Sequence, residues 1–202
     1  MAKSPQTRLT NASLKGTVKL FHMYSFTTLE FAMSNHILYG EMHTRDDRDR
    51  IERLIREAHR EAPFKYLLTE EAGPYRYLSK LALQQAIKGQ MYSISDRSFK
   101  LGIELGIPVI GIDNWDDKTY ERDKKWPDGR YLDCRYSFNI REHQMVRTLN
   151  EYAPKGRVAL IVGDSHLRSQ RNLVMGTASP LYTQFVDKSG FEIIRSPKGE
   201  AR

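Results

Sequence analysis

Arg157-Val158-Ala159-Leu160-Ile161-Val162, followed at once by Gly163-Asp164-Ser165-His166, is the stretch that decides the fold. Its apolar residues run on without alternation, so both faces of this strand are covered, the mark of a strand inside a parallel sheet flanked by helices. Working outward, the preceding segment 137–152 turns Ile140, Met145, Val146 and Leu149 inward as a helix. Earlier, residues 46–61 place Ile51, Leu54, Ile55 and Ala58 at helical spacing, with Thr44 or Asp46 as N-cap and Pro63 as the stop. Strands are expected at His36–Gly40, Phe64–Thr69 and Pro108–Ile112, and helices at 75–89, 95–105 and 165–174. Residues 116–133, with Trp126, Pro127 and Gly129, read as a long loop. Leu181–Val186 and Phe191–Arg195 read as two further strands joined through Asp187–Gly190. The expectation is an α/β domain with a mostly parallel sheet flanked by helices and a C-terminal antiparallel hairpin at one edge.

The 202 residues suit one domain, and 40% hydrophobic with 28% charged residues is a globular composition. A single cysteine, Cys134 in a polar loop, excludes an internal disulfide framework and a cysteine-rich zinc cluster. No apolar run approaches the ~20 residues of a membrane span. Leu20–Met23 is interrupted by His22 and makes no secretory signal, so cytoplasmic residence is expected, although an acid-free leader rich in Lys, Arg, Ser and Thr also has the look of a transit peptide. The net charge of +7 sits mainly at the ends: Lys3, Arg8, Lys15 and Lys19 face no acid within residues 1–28. The expected organisation is a flexible basic arm over residues 1–28 and a single α/β domain over 29–202, the arm being a solvated tail or a contact for a protein partner. The body shows no clear nucleic-acid site, because clustered Lys/Arg with neighbouring aromatic platforms are lacking.

Open α/β sheets bind ligands beyond the carboxyl ends of their strands. Each expected parallel strand ends in acids: Gly40-Glu41-Met42-His43, then Glu70-Glu71, then Asp113, then Gly163-Asp164-Ser165-His166. One such acid is ordinarily a helix cap. Four, with two histidines at the same offset from a glycine, point to a shared site. Carboxylates with imidazoles are ligands for Zn²⁺, Mn²⁺ or Fe²⁺ and equally the groups of general acid–base catalysis, and spacing does not separate the two. No HExxH pair occurs, Ser165 lacks the second glycine of a nucleophile elbow, and no phosphate-binding glycine loop is present.

With Gly40–His43 (GEMH), Glu70–Glu71 at a strand end, Arg141–Met145 (REHQM) on a helix and Gly163–Leu167 (GDSHL) in this order, the chain resembles the erythromycin esterase/ChaN-like superfamily, which includes the Tiki and TraB proteins. The resemblance covers about residues 36–175. It implies an α/β fold with a polar pocket at the strand ends, and Glu41, His43, Glu71, Arg141 and His166 as site residues. It leaves the reaction open among esterases, metal-dependent peptidases and haem-binding proteins.

The expected function is therefore hydrolysis of an ester or peptide bond in a small-molecule or peptide substrate. Glu41 serves as base or metal ligand, and His43 and His166 as ligands or proton shuttles. Asp113 is a further metal ligand or a group orienting a histidine. Of Glu70 and Glu71, which point to opposite sides of an extended chain, Glu71 is preferred. Arg141 binds substrate charge, or pairs with Glu41 or Glu71 to support the site. A non-catalytic haem or small-molecule binder is the alternative.

Overall fold

The computed structural model describes residues 35–89, 96–113, 117–121, 123–129, 131–133, 135–168 and 179–197. The expected arm over residues 1–28 and the loop cysteine at 134 lie outside them, as does most of the helix expected at 165–174; its described beginning is a 3₁₀ turn, Asp164–Leu167.

Strands β1 (His36–Glu41), β2 (Tyr66–Thr69), β3 (Arg76–Tyr77), β4 (Val109–Gly111), β7 (Val158–Gly163) and β8 (Phe191–Ile194) form one sheet in the order β3-β4-β2-β7-β1-β8. All its neighbours are parallel except β3 against β4. The remaining strands, β5 (Lys124–Lys125) and β6 (Tyr131–Asp133), make a separate antiparallel pair inside the segment expected to be a loop.

Helices α1 (Arg45–Glu61), α2 (Lys80–Lys88) and α3 (Arg97–Leu105) precede β4; α4 (Asp117–Tyr120), α5 (Arg135–Tyr152) and α6 (Pro180–Phe185) follow it. Alternation along the strands divides the core in two. Ile37, Tyr39, Ala159 and Ile161 pack with Ile51 and Ile55 of α1, Leu83 of α2 and Leu101 of α3. Leu38, Val158, Leu160 and Val162 pack with Met145 and Leu149 of α5 and Leu181 and Phe185 of α6. Burial on both faces is what the unbroken apolar run of β7 requires.

The antiparallel edge lies elsewhere than expected. Residues 181–186 do not form the first strand of a C-terminal hairpin. Pro180–Phe185 is helical: Ser179 accepts from the Tyr182 N–H, Pro180 occupies the first turn, and Leu181 and Phe185 face the core one helical turn apart. A serine cap followed by proline outweighs the strand-like composition of LYTQFV. β8 then pairs parallel to β1, and the antiparallel strand at the other edge is β3. β3 also occupies the start of the segment expected as a helix over 75–89. The helix begins only after the Ser79 cap, which leaves Leu78 and Leu81 exposed and buries Leu83.

Candidate active site

The site lies where the sheet order brings β1, β7 and β2 side by side, at their carboxyl ends. Between β1 and α1 only Met42, His43 and Thr44 intervene. Thr44 accepts from the Asp47 N–H, and the Asp47 carboxylate reaches back to the Met42 N–H at 2.8 Å, so both ends of this loop are tied to the first turn of α1. His43 is the one non-glycine residue with positive φ (54°) among those described. That rare conformation is a local cost of the kind that marks functional loops. It places His43 Nδ1 2.6 Å from Glu41 Oε1 and Nε2 3.4 Å from Glu70 Oε1.

The chain after β2 does not stay extended. Thr69 accepts from the Glu71 N–H and starts a 3₁₀ turn over Glu70–Ala72, so the two glutamates diverge by turn geometry rather than strand alternation. Glu70, rather than the preferred Glu71, lies between the two imidazoles. Its Oε1 accepts the Gly163 N–H at 3.0 Å, and its Oε2 is 3.7 Å from His166 Nε2 and 3.9 Å from the Arg141 guanidinium. Glu71 turns toward α3, where its Oε2 accepts from Ser98 Oγ at 2.6 Å, and toward Arg48, 3.6 Å away. Burial pushes the Glu71 carboxyl above its usual range; the Ser98 hydroxyl opposes this, and the Glu41 charge adds to it.

His166 sits on the turn after β7, 4% exposed, with Nδ1 2.7 Å from Glu142 Oε1 on α5 and its ring stacked on Phe138. Glu142 is fully buried. It shares a face of α5 with Met145, Val146 and Leu149, and a charged residue at a core position of that repeat is the signal by which it could have been found. His143, beside it, is exposed. Arg141 grips Asp113 through two hydrogen bonds, 2.8 and 2.5 Å. Asp113 thus faces Arg141, not a histidine, and is outside the group of side chains that could hold a metal.

The two imidazoles are biased in opposite directions. The Glu41 carboxylate against its Nδ1 raises the His43 pKa; burial opposes this and Glu70 reinforces it. Burial lowers the His166 pKa, against the pull of Glu70. The floor beneath them is Gly163. A Cβ there would lie 3.0 Å from His43 Nε2 and 3.4 Å from Glu70 Oε1. Gly163→Ala should therefore cost about 1–3 kcal/mol of overpacking, relieved by tilting His43 out of the site. A thermal melt beside the His43 imidazole NMR signals checks this, and unchanged His43 signals would refute it.

Glu41, His43 and Glu70 each offer a donor atom, and those atoms lie within 4.8 Å of one another. Two carboxylates with one imidazole fit Zn²⁺, Mn²⁺ or Fe²⁺ in donor chemistry. The other expected metal ligand, His166, approaches the group through Glu70. No helix among the described residues is long and apolar enough to cross a membrane.

No family model matches the chain. No curated protein matches it. Among solved structures, it resembles RRSP, a MARTX toxin effector domain from Vibrio vulnificus CMCP6, with a TM-score of 0.52 and 12% identity over 84% of this chain and 35% of that one. Two structures described as bacterial protein toxins align with TM-scores of 0.49 at 12% and 14% identity, over 91% and 93% of this chain and 42% and 40% of theirs. The chain thus spans well under half the length of these structures. At such identity, the likeness to RRSP is one of fold.

Proposed function

We propose that the protein is a hydrolase of ester or peptide bonds that activates water between His43, His166 and Glu70. One observation carries this reading: each imidazole has its Nδ1 against a buried carboxylate, Glu41 or Glu142, and turns its Nε2 toward the same third carboxylate, Glu70. Two oriented imidazoles on one carboxylate are suited to moving two protons in sequence. Buried His166, its Nδ1–H donated to Glu142, takes the proton of the attacking water at Nε2. His43, half exposed on its loop and favoured in its protonated form by Glu41, gives its Nε2 proton to a leaving group departing toward solvent; once product has left, His166 releases its proton to water and His43 takes one up from water. Glu70 holds the water between them. Arg141, anchored by Asp113, offsets part of the charge that gathers beside Glu70. Were a divalent metal bound, Glu41, His43 and Glu70 would hold it, and it would supply a more acidic water. The order of the GEMH, Glu70–Glu71, REHQM and GDSHL segments, similar to the erythromycin esterase/ChaN-like superfamily, supports the same reading.

The test is a screen of ester and peptide substrates with the intact chain, beside His43→Ala, His166→Ala and Glu41→Gln, and elemental mass spectrometry of the wild type and the His43→Ala/His166→Ala double variant. Activity lost in all three variants with folding retained is the expected result. Stoichiometric Zn, Mn or Fe that vanishes in the double variant would assign the metal-assisted form. Wild-type activity in all three, or haem binding with a Soret band and no hydrolysis of any substrate, would overturn the proposal.

A further inference from the structure

Beside Glu41, between the sheet and helices α1 and α3, is a cavity with ≈ 10 Å³ open to a water's centre, lined among others by Glu41, Arg48, Ile51, Glu71, Ser98 and Leu101. That is room for one water molecule. Two of its polar atoms, Glu41 Oε1 and Arg48 Nε, are out of reach of solvent and make no aligned hydrogen bond within the protein. They stand 3.7 Å apart, too far for a direct hydrogen bond and a short span for a bridging water. Leaving Arg48 Nε unpaired would cost about 1–3 kcal/mol, whereas Glu41 Oε1 already has His43 Nδ1 at 2.6 Å and keeps a second lone pair for a water. Glu71, tied by Ser98 and close to Arg48, puts a third polar group on the same wall.

We infer that one resident water bridges Glu41 Oε1 and Arg48 Nε beside Glu71, and that through it Arg48 is a positioning residue for the Glu41–His43 pair. Arg48 is one turn into α1, behind the carboxylate. It holds Glu41 from the side opposite in role to His43: the water occupies the acceptor capacity that Nδ1 does not use. Glu41 is then fixed, neutral His43 keeps its proton on Nδ1, and Nε2 is the nitrogen that exchanges protons on the Glu70 side. The inference rests on reading Glu41 and His43 as a reacting pair.

A crystal structure at a resolution that orders internal water should show one within hydrogen-bond distance of both Glu41 Oε1 and Arg48 Nε; a dry cavity overturns the proposal. The positioning role is tested in the chelator-treated chain by ¹⁵N NMR of the histidine side chains at one fixed pH above their titration. The wild type should show His43 as the single Nδ1–H tautomer. Arg48→Met should shift its nitrogens toward averaged values, Arg48→Lys should restore them in part, and His166, held by Glu142, should not move. His43 signals identical in wild type and Arg48→Met overturn the role. If Arg48→Met fails to fold, Ser98→Ala, which frees Glu71 from its anchor, should shift the His43 signals in the same sense, and unchanged signals there overturn it. No substrate enters either measurement, so a chain without hydrolytic activity would defeat the proposed function and leave this result standing.

Discussion

Glu70→Gln lowers kcat/KM by about 10²–10⁴ on any substrate the screen identifies, with the fold intact. Glutamine keeps the shape and can still accept the Gly163 N–H, so the floor of the site is preserved. The negative charge shared by His43 at 3.4 Å and His166 at 3.7 Å is lost, and with it the group that holds the water in the proposed mechanism. Glu71→Gln is the control. Burial already favours the neutral form of that carboxyl, and its neighbours are Ser98 and Arg48 rather than either Nε2, so the loss there stays within about tenfold. Steady-state rates of the two variants, with circular dichroism as a check on folding, settle the assignment. Equal losses would mean that the two glutamates act as a unit.

Asp164→Ala destabilises the domain by about 3 kcal/mol, and Tm falls by roughly 6–12 °C. Asp164 is 1% exposed, and its carboxylate accepts from Arg168, Arg195 and the Ser196 N–H, joining the turn after β7 to the chain after β8. The figure is at the low end for a broken buried pair because Arg168 and Arg195 both keep access to water. Although burial pushes the Asp164 carboxyl up, the Ser196 N–H and the two guanidiniums outweigh it and hold its pKa below the ordinary carboxylate value. The sign of the pH dependence follows. This stabilisation is complete above the usual carboxylate range, near pH 4, and is lost as pH falls through the lower folded-state value. Melts over an acid pH series should converge for wild type and Asp164→Asn; parallel curves would refute the linkage.

What was legible in the sequence follows from what is local. The apolar repeat Ile51, Leu54, Ile55, Ala58 located α1, because a helix writes its buried face into neighbouring residues, and of the two cap candidates, Thr44 and Asp46, the structure uses Thr44. The unbroken run of β7 located the centre of the sheet. The rule that ligands gather at strand ends then brought Glu41, His43 and His166 to one rim without knowledge of strand order. Three things were not legible. Whether Glu70 or Glu71 faces the histidines depends on a 3₁₀ turn set by the Thr69 hydroxyl, not on strand alternation. That Glu142 holds His166 depends on α5 packing over the end of β7, a contact across 24 residues. LYTQFV looks like a strand until Ser179 and Pro180 are weighed as a helix start.

The strand order has a consequence for how the protein comes into being. β7 stands between β1 and β2, yet it is made after both, about ninety residues later than β2. Until it emerges from the ribosome, β1 and β2 have no common neighbour, and the Glu41–His43 pair is not held near Glu70. Such long-range parallel pairing is intrinsically slow to form. Until then the growing chain carries Glu41, His43 and Glu70 without the geometry that brings them together. The same late strand that closes the core also assembles the candidate site.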